Sequence, residues 1–342
     1  MTAQARARKF EPRSAPTTKV ATSAMIASLA AEGYDTISAP FGEALVQAAK
    51  HDERIVGLTA DLAKYTDLHV FAQAYPERFY QMGMAEQLLM SAAAGMAHEG
   101  FIPFATTYAV FASRRAYDFI CMAIAEENLP VKIVCGLPGL TTGYGPSHQA
   151  TEDLAIFRGL PNLTIIDPCD ANDVAQMVPA MIAHDGPVYA RLLRGKVPSV
   201  LTRYKPDYQF ELGRAQMIRE GRDVLVVSSG IMTMRALDAA EILARDGIDV
   251  AVLHCPTIKP LDTQTILAQA AKGRLLVTAE NHTEIGGLGE AVARCLLTNG
   301  VTPTFRQIAL PDQFLEAGAL PTLHELYGLS TAKVAEHIRG WL

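Results

Sequence analysis

Short apolar runs alternate with longer Ala-rich stretches from about residue 52 onward. Runs rich in β-branched residues predict five strands in the first half of the chain, at 54–60, 102–108, 131–137, 163–168 and 188–194. The stretches near 86–99, 110–127 and 171–184 have the period and composition of helices. Because the strands are continuously apolar, we expect a parallel sheet that helices cover on both faces.

The same alternation returns in the second half of the chain. Strands are predicted at 223–230, 249–255, 274–281 and 305–310, and Ser330 is predicted to cap a last helix. The fold class is therefore α/β, with two doubly wound sheets. We expect four regions, which are a disordered or extended N-terminal segment, a first domain, a polar, Pro-containing linker and a second domain, at 1–37, 38–200, 201–213 and 214–342.

Charge and composition exclude several classes of protein. The chain has 342 residues and a net charge of −6, which argues against a nucleic-acid partner or a polybasic membrane surface. Its apolar runs are shorter than the roughly 20 residues that a membrane span needs. The basic, polar N-terminus lacks the apolar core of a secretory signal, and the five cysteines have no metal-ligand spacing. These features predict a cytoplasmic protein with reduced cysteines in its core.

One carboxylate stands in an otherwise apolar stretch. Glu86 lies within residues 79–100, which are mostly apolar. Burial of an ionised carboxylate costs several kcal/mol unless it is paired or neutralised, which suggests a function. The alternative is that Glu86 lies in the first turn of a helix, where the helix dipole favours a negative charge.

Polar and aromatic groups follow the predicted strands of the first sheet. They are Asp61, Tyr108 with Phe111, a Gly-rich loop at 136–148 and Arg194. Open parallel sheets bind ligands at the carboxyl ends of their strands, so these groups are expected at one edge. The alternatives are ordinary aromatic core for the two rings and a locally bonded loop residue for His148, which ends the Gly-rich loop.

A second Gly-rich segment lies at 280–291. Its GGLG is predicted to allow tight packing of a strand against a helix, and Glu280 and His282 could form an interface pair.

Taken in order, the motifs resemble the C-terminal half of transketolase from about residue 38 onward. Those that carry the resemblance are TADLA (59–63), MGMAEQ (82–87), Tyr108–Phe111–Arg114, GPSHQ (145–149), R-x-x-PN (158–162), DP-x-D (167–170), LRG (193–195), IKPLD (258–262) and AENH-x-x-x-GGLG (280–289). The resemblance implies a pyrimidine-binding domain followed by a transketolase C-terminal domain, with thiamine diphosphate as cofactor.

The resemblance assigns roles to individual residues. Glu86 matches the glutamate that shares a proton with the pyrimidine ring and so activates the cofactor. Tyr108, Phe111 and Arg114 match the pocket around the pyrimidine, and Asp61 matches an acid near the thiazolium.

The substrate side of the site is implied in the same way. His148 matches a catalytic histidine that faces the substrate, and Arg158 and Arg194 match groups that hold a sugar phosphate. Tyr144 stands where the family has an aspartate that recognises a sugar hydroxyl, and a second histidine upstream in the loop is missing. These departures suggest a modified pentulose phosphate donor, such as apulose 4-phosphate.

The family's Gly-Asp-Gly motif, which binds Mg²⁺ and the diphosphate, does not occur here. The resemblance therefore implies a split transketolase whose partner subunit carries that motif and the metal, as a heterotetramer, with no metal site on this chain. Two alternatives stay open. One is a deoxyxylulose-phosphate synthase or an α-keto-acid dehydrogenase β subunit, and the other is a non-catalytic subunit that only completes a partner's site.

Overall fold

The structure is a computed structural model that describes residues 33–342. Most of the expected N-terminal segment, 1–37, therefore lies outside the described residues. The strands of the first half are β1 (Thr36–Ser38), β2 (Ile55–Thr59), β3 (Phe79–Gln81), β4 (Ile102–Tyr108), β5 (Lys132–Gly136), β6 (Thr164–Ile166), β7 (Val188–Leu192) and β8 (Lys196–Pro198). The helices between them are α1 (Pro40–Ala49), α2 (Leu68–Ala74), α3 (Glu86–His98), α4 (Ala109–Arg115), α5 (Tyr117–Ile120), α6 (Asp153–Arg158) and α7 (Ala171–Ala183).

The second half begins with a short helix and then repeats the alternation. Its helices are α8 (Leu201–Tyr204), α9 (Ile231–Arg245), α10 (Thr263–Ala270), α11 (Leu288–Thr298), α12 (Leu320–Leu326) and α13 (Thr331–Gly340). Its strands are β9 (Gln216–Arg219), β10 (Val224–Ser228), β11 (Val250–His254), β12 (Thr257–Lys259), β13 (Leu275–Thr283) and β14 (Phe305–Leu310). Ser330 caps α13 by accepting from the Lys333 amide, as predicted.

Two large sheets carry the fold. The first has the order β12–β6–β7–β5–β4–β2–β3, and the second has the order β14–β13–β10–β11–β9. All residues of β2, β4, β5 and β7 are buried, so the sheet is covered on both faces. The predicted α/β class with two doubly wound sheets is confirmed.

The two halves share a sheet. β12 comes from the second half of the chain, yet it pairs antiparallel with β6 at the edge of the first sheet. The segment that connects the halves is also packed, since Tyr208 is buried and donates to Asp173 of α7. The polar composition of this connector did not indicate that Tyr208 is buried.

One predicted helix is divided. The stretch 110–127 forms α4, α5 and a π-helical turn at Cys121–Ala125, because Ala116 leaves helical backbone angles. The five cysteines are free, and four are buried as expected, whereas Cys121 is half-buried.

A buried ion network joins the two halves of the chain. The Arg191 guanidinium donates to both carboxylate oxygens of Asp153 at 2.9 Å and to Asp167 at 3.2 Å. It also donates to the Asn281 carbonyl of β13, and Ser229 donates to Asp167. Arg191 is 1% exposed. Each charge has several partners, so the network stabilises the contact between the halves.

Candidate functional site

An aromatic pair forms the floor of the candidate site. Tyr108 is the last residue of β4 and Phe111 lies in the first turn of α4, so the turn between them brings their ring centroids to 5.7 Å. Tyr108 is buried, and burial raises the pKa of its hydroxyl. Phe111 keeps part of its surface accessible. The pair therefore presents a ring face at the carboxyl end of the sheet.

The Gly-rich loop brings a third and a fourth ring to this pair. The centroid of His148 lies 6.2 Å from that of Tyr108, 5.5 Å from that of Phe111 and 5.4 Å from that of Tyr144, each in an edge-on arrangement. The Ser147 hydroxyl lies 2.9 Å from His148 Nδ1. Burial, and then the charge of Arg115, lowers the pKa of His148. The imidazole is therefore biased toward its neutral form.

The side chain of Arg114 holds the end of the Gly-rich loop. Its guanidinium donates to the carbonyls of Pro146 and Gln149 at 3.0 and 3.4 Å and forms an ion pair with Glu152. Arg114 was expected in the cofactor pocket, and the structure gives it these contacts to the loop that carries His148.

Gly139 of the Gly-rich loop allows a close approach to the second half of the chain. A Cβ atom at Gly139, where φ is +57°, would lie 2.1 Å from the Asn281 carbonyl oxygen. Only glycine permits this approach of the loop to β13. The loop position is therefore set by contact between the halves.

Glu86 lies at the start of α3 and is 3% exposed. Among the described residues, its one hydrogen-bonding or ionic partner is Arg115, whose Nη1 lies 3.2 Å from Glu86 Oε1. The Arg115 guanidinium also lies over the Phe111 ring, 4.0 Å from its centroid. The carboxylate and the aromatic floor are thus connected by a single cation that is itself half exposed.

Asp61 follows β2 and is linked to the loop before Glu86. Its backbone φ is +59°, and its Oδ1 accepts from Gln81 Nε2 at 3.1 Å. Gln81 Oε1 in turn accepts from the amides of Asp61 and Gly83. Gln81 could not be predicted as part of the site, because an exposed glutamine at the end of a three-residue strand is common.

Arg194 follows the carboxyl end of β7. It is 8% exposed, its guanidinium lies 5.4 Å from the Tyr65 ring centroid, and burial lowers its pKa. The nearby Asp67 carboxylate acts against this shift. Tyr65 was not predicted either.

Arg158 is placed elsewhere, and this corrects the expectation that it flanks His148. Its Nη1 donates to the carbonyls of Gly286 and Gly287, and it lines a cavity with Lys259 and Arg294. The R-x-x-PN motif ends α6 on the side that meets the second half, which gives the side chain this direction.

Both halves of the chain match one protein family. The transketolase pyrimidine-binding domain matches residues 35–199, and the transketolase C-terminal domain matches residues 213–334. The chain belongs to the transketolase family.

Relatives extend the match over nearly the whole chain. A transketolase family protein of Sinorhizobium fredii is 68% identical over 95% of this chain and 94% of its own. A 6-deoxy-6-sulfo-D-fructose transketolase subunit of a Clostridium species is 41% identical over 85% of this chain and 89% of its own. A structure of a split-gene transketolase, solved as an inactive β4 tetramer, has a TM-score of 0.80 at 42% identity, covering 88% of this chain and 96% of its own. Over nearly its whole length, the chain is therefore similar to subunits of split transketolases.

Some 1-deoxy-D-xylulose-5-phosphate synthases match as well, and the chain spans about half of their length. Across residues 33–342, no helix has the length and apolar character needed to cross a membrane. The same residues hold no group of three or more His, Cys, Asp or Glu side chains arranged to bind a metal ion.

The fold explains several transketolase motifs without a ligand. In DP-x-D, Asp167 belongs to the Arg191 network and Asp170 caps α7. In AENH-x-x-x-GGLG, Glu280 accepts from the amides of Leu288 and Gly289 at the start of α11. Glu280 and His282 approach to 4.0 Å but bond elsewhere. The glycines allow strand and helix to pack closely, as the sequence indicated.

Proposed function

We propose that this chain is one subunit of a split transketolase that uses thiamine diphosphate to transfer a two-carbon ketol unit between sugar phosphates. The observation that supports it is the position of Glu86, a buried carboxylate with one displaceable cation beside an accessible aromatic face. That donor set suits a flat, protonatable heteroaromatic ring such as the pyrimidine of the cofactor.

The residues of this chain would divide the work. Tyr108 and Phe111 would hold the pyrimidine by ring contact, and Glu86 would share a proton with it. When bound, thiamine diphosphate supplies the nucleophilic carbon and the electron sink that cleavage beside a carbonyl needs. His148, biased toward its neutral form, accepts and returns a proton from a substrate hydroxyl. Arg194 holds the anionic end of the sugar.

Asp61 completes the proposed cofactor side. It stays bonded to Gln81 and Gly83 through the turn that leads to Glu86. We propose that it lies near the thiazolium ring and fixes this turn.

A partner subunit is part of the proposal. The described residues offer no cluster of metal ligands, and the chain has no Gly-Asp-Gly. We propose that a second chain carrying Gly-Asp-Gly binds Mg²⁺ and the diphosphate, in a cytoplasmic heterotetramer. The related split-gene transketolase solved as an inactive β4 tetramer supports this dependence.

Calorimetric titration tests the partner requirement. The chain alone, titrated with thiamine diphosphate and Mg²⁺, is expected to bind weakly, and addition of the partner chain is expected to give tight binding and ketol transfer. Tight binding by the chain alone would contradict the split site. Turnover of pyruvate rather than a ketose phosphate would favour the synthase or keto-acid alternative.

The donor is proposed to be a modified ketose. Tyr144 replaces the family's hydroxyl-binding aspartate, and a relative is named for a sulfo-sugar. We expect xylulose 5-phosphate to be a poor donor beside apulose 4-phosphate or 6-deoxy-6-sulfofructose. Because a substrate hydroxyl regains its partner, Tyr144→Asp is expected to shift preference toward xylulose 5-phosphate by about tenfold.

A coupled assay over a panel of ketose donors measures this preference. Tyr144→Phe, which keeps the ring, is the matched control. Efficient use of xylulose 5-phosphate by the unmodified enzyme, with no change in Tyr144→Asp, would reject the donor assignment and leave the transketolase proposal intact.

A further inference from the structure

A cavity of about 410 Å³ lies where the two halves of the chain meet. Three cationic side chains face it from three elements, namely Arg158 of α6, Lys259 of β12 and Arg294 of α11. The remaining lining is apolar, hydroxyl and amide, and no carboxylate is among the lining residues. The cavity shares no lining residue with the aromatic cluster around His148. Its size falls within the range of about 300–1,000 Å³ that is usual for small-molecule sites.

Two of the cations are held in place by backbone carbonyls. Arg158 Nη1 donates to Gly286 and Gly287, and Lys259 Nζ donates to the carbonyls of Arg158 and Leu160. These bonds leave Arg158 Nε and Nη2 without an acceptor among residues 33–342. The positions of both charges are thus fixed before any ligand arrives, while part of their donor capacity is unused.

The third cation, Arg294, is exposed at the cavity. The Arg294 side chain makes no hydrogen bond or ion pair with residues 33–342. Burial lowers the pKa of Arg158, and the charge of Arg294 acts on it in the same direction. Burial and the charge of Arg158 lower the pKa of Lys259. The charges of Glu280 and Glu290 act in the opposite direction on the pKa of Arg158, but neither residue lines the cavity. Glu280 already accepts from the Leu288 amide at the start of α11. The three positive charges of the cavity therefore have no carboxylate among the lining residues to neutralise them.

We propose that this cavity binds a small phosphate-bearing anion, either inorganic phosphate or a phosphorylated metabolite. Guanidinium groups match phosphate oxygens in pairs, and Arg158 and Arg294 supply two such groups from opposite halves of the chain. A bound phosphate would connect α6 to α11 and so stabilise the contact between the halves. The inference does not depend on the proposed transketolase reaction, because this chain alone forms the cavity.

Calorimetry on the full chain tests the site, with inorganic phosphate and ribose 5-phosphate titrated separately at constant ionic strength. We expect saturable binding of at least one of them. Arg294→Gln is expected to weaken it about tenfold, since a charge-assisted bond is lost, and Arg294→Glu is expected to abolish it. Equal affinity for both anions would identify phosphate itself as the ligand, whereas preference for ribose 5-phosphate would identify a sugar phosphate.

Arg245→Gln is the matched control, because Arg245 is an exposed arginine on a helix of the same domain and lies outside the cavity. It is expected to bind like the unmodified chain. The proposal is overturned if potassium chloride gives the same signal, or if Arg294→Gln binds as tightly as Arg245→Gln. A variant that loses binding through misfolding is recognised by its circular dichroism, and the chain with Arg294→Lys must then retain binding for the site to stand.

Discussion

Two buried ionic groups in this chain differ in how many partners they have. The Arg191 network is closed, since Asp153 and Asp167 together accept bonds from Arg191, Tyr189 and Ser229, all with little or no exposure. Glu86 is nearly as buried, yet the described residues give it only Arg115, which is half exposed. A closed network has no capacity left for a ligand, whereas a buried carboxylate with one displaceable partner does. Burial alone therefore does not mark a functional charge, and unfilled bonding capacity is the better sign.

The largest effect is expected at the open group. Glu86→Gln removes the proton that the carboxyl exchanges and keeps its shape, so folding should be unchanged. The rate of cofactor activation should fall by about 10²–10⁴. Deuterium exchange of the thiazolium proton, followed by NMR in the reconstituted complex, measures this rate. Glu99→Gln, at the exposed end of the same helix, should exchange normally. Normal exchange in Glu86→Gln would remove Glu86 from the mechanism.

The closed network should respond in stability instead. Arg191→Met leaves two buried carboxylates without their cation, and the free energy of unfolding should fall by about 3–5 kcal/mol. Urea unfolding followed by circular dichroism measures the change. Arg306→Met, at an exposed position of β14, should change stability little. A loss below about 1 kcal/mol in Arg191→Met would show that the network is not a main support of the contact between the halves.

The fold could be predicted to a large extent because its signal is local. Continuous apolar runs gave β2, β4, β5 and β7, and the spacing of helical residues gave α3 and α7. The pairing of β12 with β6 could not be predicted, since a three-residue strand has no clear pattern and its partner lies about ninety residues earlier in sequence.

The site was predicted less evenly. Tyr108, Phe111 and His148 come together as expected because the ends of parallel strands meet at one edge. Arg158 was expected on the substrate side of the site, but its side chain contacts Gly286 and Gly287 instead. A motif shows which residue is present but not which way its side chain points. Gln81 was missed, since its role arises only from hydrogen bonds across two loops.

The buried side chain of His324 should make the stability of the fold sensitive to acid. His324 of α12 is 2% exposed and its Nε2 lies 2.7 Å from the Leu140 carbonyl oxygen. Burial lowers its pKa from 6.5 to about 4. Between these values the unfolded chain binds a proton that the folded chain does not, so stability falls as the pH falls through this window. Once the pH is below both values, His324 has lowered the free energy of unfolding by about 3 kcal/mol.

His324→Asn removes this contribution and keeps an amide donor. Its unfolding free energy should therefore decline less between pH 6.5 and pH 4 than that of the unmodified chain, as measured by urea titration at each pH. His337→Asn, at an exposed position of α13, should leave the decline unchanged. His282, whose pKa burial also lowers to about 4, retains its own share. An identical decline in His324→Asn would show that His324 is protonated without loss of the fold.

The smallest effect is expected from the cation that connects the open group to the aromatic floor. Arg115 lies over Phe111, pairs with Glu86 and, after burial, is the second cause that lowers the pKa of His148. In Arg115→Met the positive charge no longer disfavours the imidazolium form, so the pKa of His148 should rise, while burial keeps it below the ordinary histidine value. NMR titration of the His148 ring in the isolated chain measures the shift, with Arg306→Met as the control that should show none. A His148 pKa that stays constant or falls in Arg115→Met would mean that Arg115 is directed away from the site in solution, and the single-partner description of Glu86 would then have to be abandoned.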